Sequence, residues 1–362
     1  MLDISAYKGA KVLVTGHTGF KGSWLCEMLL MAGAEVYGYA LRPPTRPSLF
    51  SQLSLARRLK SHEIGDVRDA SRLEETIKRI KPDFIFHLAA QPLVRESYSS
   101  PKETFDVNVT GTVNLLESVR KVFLSDDSRV LKKCSCSVVC VTTDKCYENN
   151  NSGHPFVETD SLGGSDPYSA SKGACEIVIS SYRRSFFSHK GSNVRVASAR
   201  AGNVIGGGDW AKDRIVPDAM RAFLSKKSLV VRNKMSTRPW QHVLEPLIGY
   251  LTLGMLLQND SRCASAFNFG PNSRSVRTVF DLVEGLRSRF SDVDVLFASE
   301  KNALYEAKLL TLNSTKAFEI LGWKPRWSFK KTVQATADWY KSVAEGVSAR
   351  VVTDAQINDY LK

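Results

Sequence analysis

Val14-Thr15-Gly16-His17-Thr18-Gly19-Phe20-Lys21-Gly22 is the stretch on which the reading of this chain turns. It follows Lys11-Val12-Leu13-Val14, an apolar run that suits a buried parallel strand, and leads into Ser23-Trp24-Leu25-Cys26-Glu27-Met28-Leu29-Leu30, which has helical periodicity. Three glycines at Gly-x-x-Gly-x-x-Gly spacing between strand and helix suit a turn that cradles a pyrophosphate. The first makes the tight turn, the second lets backbone approach phosphate, and the third lets helix and strand pack closely. The helix N-terminus then offers N–H groups and a partial positive charge to the anion. The motif stands at the first strand-to-helix turn, where a dinucleotide fold carries it.

Working outward, strand-like runs at 11–15, 35–41, 84–88 and 137–142 alternate with helical stretches at 21–32, 70–80, 104–122 and 167–186. A further strand, Val194-Arg195-Val196-Ala197-Ser198-Ala199, leads into the glycine-rich Gly202-Asn203-Val204-Ile205-Gly206-Gly207-Gly208. This alternation predicts an α/β fold: a Rossmann-type doubly wound parallel sheet with ligand outside the carboxyl ends of its strands. Beyond it, Pro217, Pro239, Pro246, Pro271 and Pro325 punctuate short elements of a smaller, mixed C-terminal substrate-binding portion. The expected division is 8–200 for the dinucleotide domain, with further Rossmann elements interleaved after 200, then 201–343, mainly substrate-binding, and a polar tail at 344–362 that frays. Ser125-Asp126-Asp127-Ser128 reads as an exposed loop.

The 362 residues, 43% hydrophobic and 24% charged, are ordinary for a soluble globular protein and enough for a large core. No apolar run approaches the roughly 20 residues of a membrane span, and Met1-Leu2-Asp3-Ile4-Ser5 lacks the pattern of a signal peptide. A cytoplasmic protein with no membrane partner is expected. Seven cysteines include the group Cys134, Cys136, Cys140 and Cys146, but no Cys-x-x-Cys or His-x-x-x-His accompanies them. They read as buried thiols, with no metal. The net charge of +13 is dispersed. Its densest groups, Arg57-Arg58-Leu59-Lys60, Lys132-Lys133 and Arg183-Arg184, read as solvated faces rather than a nucleic-acid surface.

Chemistry enters at Tyr168-Ser169-Ala170-Ser171-Lys172, which puts Tyr168 and Lys172 on one helix face. An ammonium one turn away stabilises a phenolate, so Tyr168 is a candidate base. Thr142-Thr143-Asp144-Lys145 closes the strand Val138–Val141, where a doubly wound fold gathers polar groups for reaction. Asp66-Val67, His87-Leu88-Ala89-Ala90 and Asn108-Val109-Thr110-Gly111 fall between these motifs in consistent order. His242 reads equally as a core residue and is not assigned a catalytic role. Leu115, Leu116 and Val119 mark an apolar face, either core or a dimer surface.

At these residues the chain resembles the extended short-chain dehydrogenase/reductase superfamily and, within it, the nucleotide-sugar 4,6-dehydratases. Ala89-Ala90-Gln91-Pro92-Leu93-Val94-Arg95, Leu162-Gly163-Gly164-Ser165-Asp166-Pro167-Tyr168, Arg200 to Trp210 and Arg238-Pro239-Trp240-Gln241-His242 carry the resemblance from about residue 8 to 340. Lys145, standing where the dTDP-glucose members have Glu, points to the branch acting on CDP-glucose.

The resemblance implies a hydro-lyase with tightly held NAD that passes a hydride from C4 to C6 of the sugar. Thr143, Asp144, Lys145, Tyr168 and Lys172 are its expected catalytic set. Tyr168, helped by Lys172, serves C4 oxidation, Thr143 binds the same oxygen, Asp144 is the elimination acid and Lys145 the base. For the cofactor it implies Gly16, Gly19, Phe20 and Gly22 at the pyrophosphate, and Asp66, Val67, Leu88, Ala89, Ala90, Asn108 and Thr142 along the dinucleotide, with Tyr168 and Lys172 at its nicotinamide end. For the nucleotide-sugar substrate it implies Gln91, Thr143, Asn203, Arg214 and Arg238, the arginines on the pyrophosphate. A homodimer or higher homo-oligomer is expected, serving deoxysugar biosynthesis. After Val36-Tyr37-Gly38-Tyr39-Ala40-Leu41 no acid is present for the ribose hydroxyls; Arg42-Pro43-Pro44 follows instead. An Arg there suits a 2′-phosphate. NAD remains the expected cofactor, because a recycled cofactor has no need of the NADPH pool, and NADP is the alternative. Rival readings are another nucleotide-sugar dehydratase or a 4-epimerase and, in a different class, a nucleic-acid binder without catalysis.

Overall fold

The central strands, Lys11–Thr15, Phe84–His87 and Cys136–Val141, descend from short apolar runs covered on both faces. In the computed structural model, which describes residues 4–124, 135–149, 153–189, 192–231, 234–272, 275–290, 293–298 and 310–362, β1 (Lys11–Thr15) is buried from its second residue on. Its side chains alternate. Val12 and Val14 enter one core with Trp24, Tyr250 and Trp339, and Leu13 enters the other with Leu73, Leu115 and Ile179. With β2 (Glu35–Ala40), β3 (Ser61–Ile64), β4 (Phe84–His87), β5 (Cys136–Val141), β6 (Val194–Ala201) and β7 (Ala266–Phe269) it forms a seven-stranded sheet of order β7-β6-β5-β4-β1-β2-β3. All six pairings are parallel. The order reverses between β1 and β4, which opens a crevice at their carboxyl ends.

The principal helices are α1 (Phe20–Met31), α2 (Ala70–Ile80), α3 (Gly111–Leu124), α4 (Pro167–Tyr182), α5 (Ile215–Leu224), α6 (Leu244–Leu257), α7 (Phe329–Ala344) and α8 (Ala349–Leu361). Local chemistry sets their starts. Asp69 caps α2 by accepting from Arg72 N at 3.1 Å, and Asp166, ahead of Pro167 in the first turn of α4, accepts from Ser169 N at 2.9 Å. Smaller strand pairs, 204–205 with 241–242, 237–239 with 276–278 and 229–231 with 295–297, make up the mixed part after β6. Even so, β7 and α6 return to the main sheet and its core.

Three expectations change. The helix expected over 104–122 is broken by a π-turn at Asp106–Thr110, and the one over 167–186 passes into a second π-turn at Arg183–Phe187. The frayed tail is corrected: α8 docks with Thr353, Ile357 and Tyr360 buried. Trp339 Nε1 donates to Thr353 Oγ1 at 2.9 Å and the Tyr360 hydroxyl donates to Glu245. Leu115, Leu116 and Val119 are fully buried, so that face is core. The exposed loop expected at Ser125–Ser128, Lys132-Lys133 and Cys134 lie outside the described residues. No described helix is long and apolar enough to cross a membrane.

Candidate active site

At the sheet's reversal point the first glycine turn meets the loop after β4. Ala89 N donates to Thr15 Oγ1 at 3.3 Å. Gly16 has φ of +76°, and a Cβ on it would lie 2.6 Å from Ala89 N. A Cβ on Gly22 would lie 2.2 Å from Gly16 O. These two glycines are required by the protein's own packing. Gly19 is different. It is the N-cap of α1 in extended conformation, and a Cβ there meets only Gly16 O at 3.4 Å. The space it keeps open lies before a helix N-terminus whose first turn carries no acid, which fits the pyrophosphate of a dinucleotide. Phe20 opens α1 and approaches Gly206. Leu88, Ala89 and Ala90 are half-buried along the crevice. Asp66 is held by Arg68 at 2.6 Å, and Val67 is buried against Gly111. Asn108, inside the π-turn, accepts from Gln91 N at 2.9 Å and donates to Ser171 Oγ at 2.9 Å. It therefore ties the loop after β4 to α4.

The candidate catalytic groups stand at the end of β5. Thr142 donates to Glu176, which also accepts from Ser198 Oγ at 2.7 Å and Arg200 Nη2 at 2.8 Å. Arg200 continues to the Tyr147 hydroxyl at 2.6 Å, and that hydroxyl donates to Asn268 Oδ1 at 2.8 Å. One buried chain of polar groups thus locks the ends of β5, β6 and β7. Burial pushes the Glu176 carboxyl up, but Arg200 and the three hydrogen bonds outweigh it and hold the pKa below the usual value. Replacing Arg200 by Met leaves that carboxylate buried and unpaired, so unfolding free energy falls by about 3–5 kcal/mol. Urea denaturation measures this, and an unchanged midpoint contradicts it.

On this base, Thr143 Oγ1 donates to Asp144 Oδ1 at 3.0 Å, and Lys145 Nζ lies 3.7 Å from the same oxygen. Asp144 is 1% exposed, and its Oδ2 has no protein partner. Gly202 makes room for that atom, since a Cβ there would lie 2.3 Å away. Tyr168 is buried with its hydroxyl hydrogen-bonded to Thr143. Burial raises its pKa; the Thr143 hydrogen bond and the charge of Arg214 oppose that rise. Lys172, one turn along α4, is also buried. The structure therefore gathers Thr143, Asp144, Lys145, Tyr168 and Lys172 at one crevice.

Two participants were not singled out from sequence. Lys21, within the glycine motif itself, reaches the fields of Arg214, Asp144, Lys172 and Lys145, and burial followed by the Arg214 charge pushes its pKa down to about 8. Its signal was a lysine one residue past the start of α1, directed at the crevice. Tyr250, from α6, is fully buried with an unpartnered hydroxyl and feels both Tyr168 and Asp144.

The expected substrate residues divide. Arg214 is paired with Asp209 at 2.9 Å and acts on Tyr168 and Lys21, so it stands at the reacting end. Gln91 is turned into its own loop: its Nε2 donates to Leu93 O and Thr104 Oγ1, and its Oε1 accepts from Leu93 N at 2.5 Å. Arg238 donates to Thr237 O at 2.9 Å from a short strand. Asn203 follows β6, its carbonyl accepting from Gln241 N at 3.1 Å. The second glycine-rich loop serves packing. A Cβ on Gly207 would strike Trp339 at 2.0 Å, and one on Gly208 would strike Leu49 at 2.6 Å.

His242 lies between Trp24 and Trp327, and burial pushes its pKa down to about 3. His87, between Thr15 and Thr112, is likewise pushed down to about 3, by burial and then by Lys172. Both are core groups held neutral. A depressed histidine pKa means that the unfolded chain binds more protons below about 6.5, so stability is full above that pH and is lost as pH falls towards 3. The urea midpoint is expected to hold between pH 7.5 and about 6.5 and to drop steadily from there to pH 5; a flat profile contradicts neutral burial. Six described cysteines are free and buried, and the described residues hold no cluster of three or more metal-ligating side chains.

Residues 13–336 match the family model described as GDP-mannose 4,6 dehydratase. The chain is 43% identical to a CDP-glucose 4,6-dehydratase of Salmonella typhimurium, over 100% of this chain and 99% of that protein. Among solved structures, a dTDP-glucose 4,6-dehydratase from Bacillus anthracis in complex with NAD superposes with a TM-score of 0.74 at 22% identity, covering 93% of this chain and 98% of the other. A UDP-glucuronic acid 4-epimerase from Bacillus cereus, in complex with UDP-glucuronic acid and NAD, gives 0.75 at 21% identity, covering 92% and 99%. The reversal-point crevice and the match along almost the entire sequence lead to one assignment: the chain belongs to the nucleotide-sugar 4,6-dehydratase family that the GDP-mannose 4,6 dehydratase model describes.

Proposed function

We propose that this protein is a CDP-glucose 4,6-dehydratase, converting CDP-glucose to CDP-4-keto-6-deoxyglucose and water. The observation that carries the reading is a second acid–base pair, Asp144 and Lys145, set 3.7 Å apart next to the Tyr168–Thr143 hydrogen bond. A redox step at C4 alone needs only the tyrosine. Elimination needs one group to take the C5 proton and another to give a proton to the departing C6 hydroxyl.

A nicotinamide dinucleotide, fitted by the glycine turn, supplies the acceptor and later donor of hydride when bound. The chain's own residues do the rest. Thr143 orients the C4 hydroxyl, and Tyr168 takes its proton. The fields of Arg214 and Lys172 favour the phenolate so formed. Asp144, buried with Oδ2 free, is the proton donor to the C6 oxygen. Lys145, whose side chain is 16% exposed, is the base at C5. Lys21 and Arg214 hold the local charge positive, which suits a diphosphate-bearing substrate. Exposed Ile177 and Phe186, on α4 and the turn that ends it, support the expected pairing of copies.

Base choice rests on the CDP-glucose relative, and it is tested by incubating the protein with CDP-glucose, dTDP-glucose, UDP-glucose and GDP-mannose in parallel. Loss of water from CDP-glucose with the highest kcat/KM supports the proposal. Preference for another nucleotide keeps the chemistry and overturns the substrate, and a product of unchanged mass makes the protein an epimerase.

A further inference from the structure

The residues after β2 are tied to the glycine turn at two points. Thr18 Oγ1 donates to Leu41 O at 2.9 Å, and His17 Nε2 lies 2.7 Å from Nδ1 of His62 on β3. Between these ties opens a cavity of about 490 Å³ whose polar lining comes from Arg42, Thr45, Arg46, Ser48, Ser51 and His62, together with Gln52. It contains two guanidinium groups and no carboxylate.

Several other arginines on this flank have their own acids. Arg58 is on Glu27, Arg68 on Asp66, and Arg72 and Arg79 are on Glu63. Among the described residues on this flank, Arg42, Arg46 and the exposed Arg57 have neither an ion pair nor a side-chain hydrogen bond, and of these three only Arg42 and Arg46 line the cavity. Pro43, Pro44 and Pro47 stiffen the segment that presents them. A dinucleotide whose pyrophosphate sits on the glycine turn places its adenosine ribose at the end of the second strand. A carboxylate there would accept from both ribose hydroxyls. Ala40-Leu41-Arg42-Pro43-Pro44-Thr45-Arg46 offers none.

We propose that this cavity receives a phosphate monoester on the adenosine ribose, so that the dinucleotide this chain selects is the 2′-phosphorylated form, NADP. Arg42 and Arg46 hold the phosphate through charge-assisted hydrogen bonds, with Thr45 and Ser51 as neutral partners. The proposal rests on the reading that the chain binds a nicotinamide dinucleotide, and it specifies which one. The relay chemistry is the same with either form, because the dinucleotide returns to its starting state in each turnover. Selection therefore acts on binding.

The test is calorimetric titration of the full-length protein with NAD and with NADP, with no sugar nucleotide present. NADP is expected to bind about tenfold tighter or more, the size given by charged hydrogen bonds. Adenosine 2′,5′-bisphosphate should displace it better than 5′-AMP, while inorganic phosphate should not. In the R42A/R46A double variant, which alters two exposed side chains, the two affinities should fall within about threefold of each other. Equal or tighter binding of NAD overturns the proposal. So does a preference that survives in R42A/R46A, or displacement by phosphate alone, which would mark a general anion site. Turnover of a sugar nucleotide with NAD and no preference for NADP removes this inference and leaves the dehydratase reading intact. Binding of neither dinucleotide removes both.

Discussion

Tyr168→Phe lowers kcat for dehydration by about 10³-fold, within the range general acid–base groups supply, and leaves the fold nearly unchanged. The hydroxyl is buried, and its one protein hydrogen bond is to Thr143. Removing it costs the fold about 0.5–1.5 kcal/mol, and the phenyl ring that remains has the same shape. The catalytic cost is larger because no neighbour can substitute. Thr143 is already committed to Asp144, and its hydroxyl is too weak a base to take the proton in place of the phenol. No C4-oxidised species and no dehydrated product should form. Stopped turnover alongside a urea midpoint that is only slightly lowered separates loss of the base from loss of structure. Near-normal turnover would show that another group takes the C4 proton.

Asp144→Asn separates the two halves of the reaction. The side chains are nearly isosteric, and the amide oxygen can still accept from Thr143. Oxidation at C4 is served by Tyr168 and survives. Proton delivery to the C6 oxygen is lost, so dehydration falls by about 10²–10³-fold. The mixture then accumulates a nucleotide sugar lighter by two hydrogens, the C4 ketone, in place of one lighter by a water. Mass spectrometry of single-turnover samples distinguishes them. A D144N protein that dehydrates at the wild-type rate excludes Asp144 as the acid. One that makes neither species indicates that Asp144 is needed to assemble the site, not to donate a proton.

Much of this site was legible because its signals are local. The glycine turn, the Asp166-Pro167 start of α4 and the polar end of β5 each lie within one strand–turn–helix unit, where spacing and capping chemistry determine geometry. What was not legible depends on contacts between distant segments. The π-turn at Asp106–Thr110 puts Asn108 between the β4 loop and α4, a compromise no helical periodicity reveals. Gln91 looked like a substrate group from its motif, yet both ends of its amide are occupied by Leu93 and Thr104. Lys21 was quoted among the glycines and given no role, because its importance arises from Arg214, far along the chain. The polar C-terminal stretch that was expected to fray is ordered by Trp339 and Glu245, from other helices. β3 carries Ser61-His62-Glu63-Ile64, with no apolar run to announce a strand, and it is specified mainly by pairing with β2.

The central claim is that one crevice moves a hydride from C4 to C6 of the same sugar, with the acid–base pair acting between the two transfers. The direct test is CDP-glucose carrying deuterium at C4, turned over in ordinary water, with the product's label located by NMR. Deuterium at C6 of the 4-keto-6-deoxy product, together with one solvent proton at C5, is the predicted result. Deuterium lost to free cofactor, or returned to C4 in a product of unchanged mass, would contradict it.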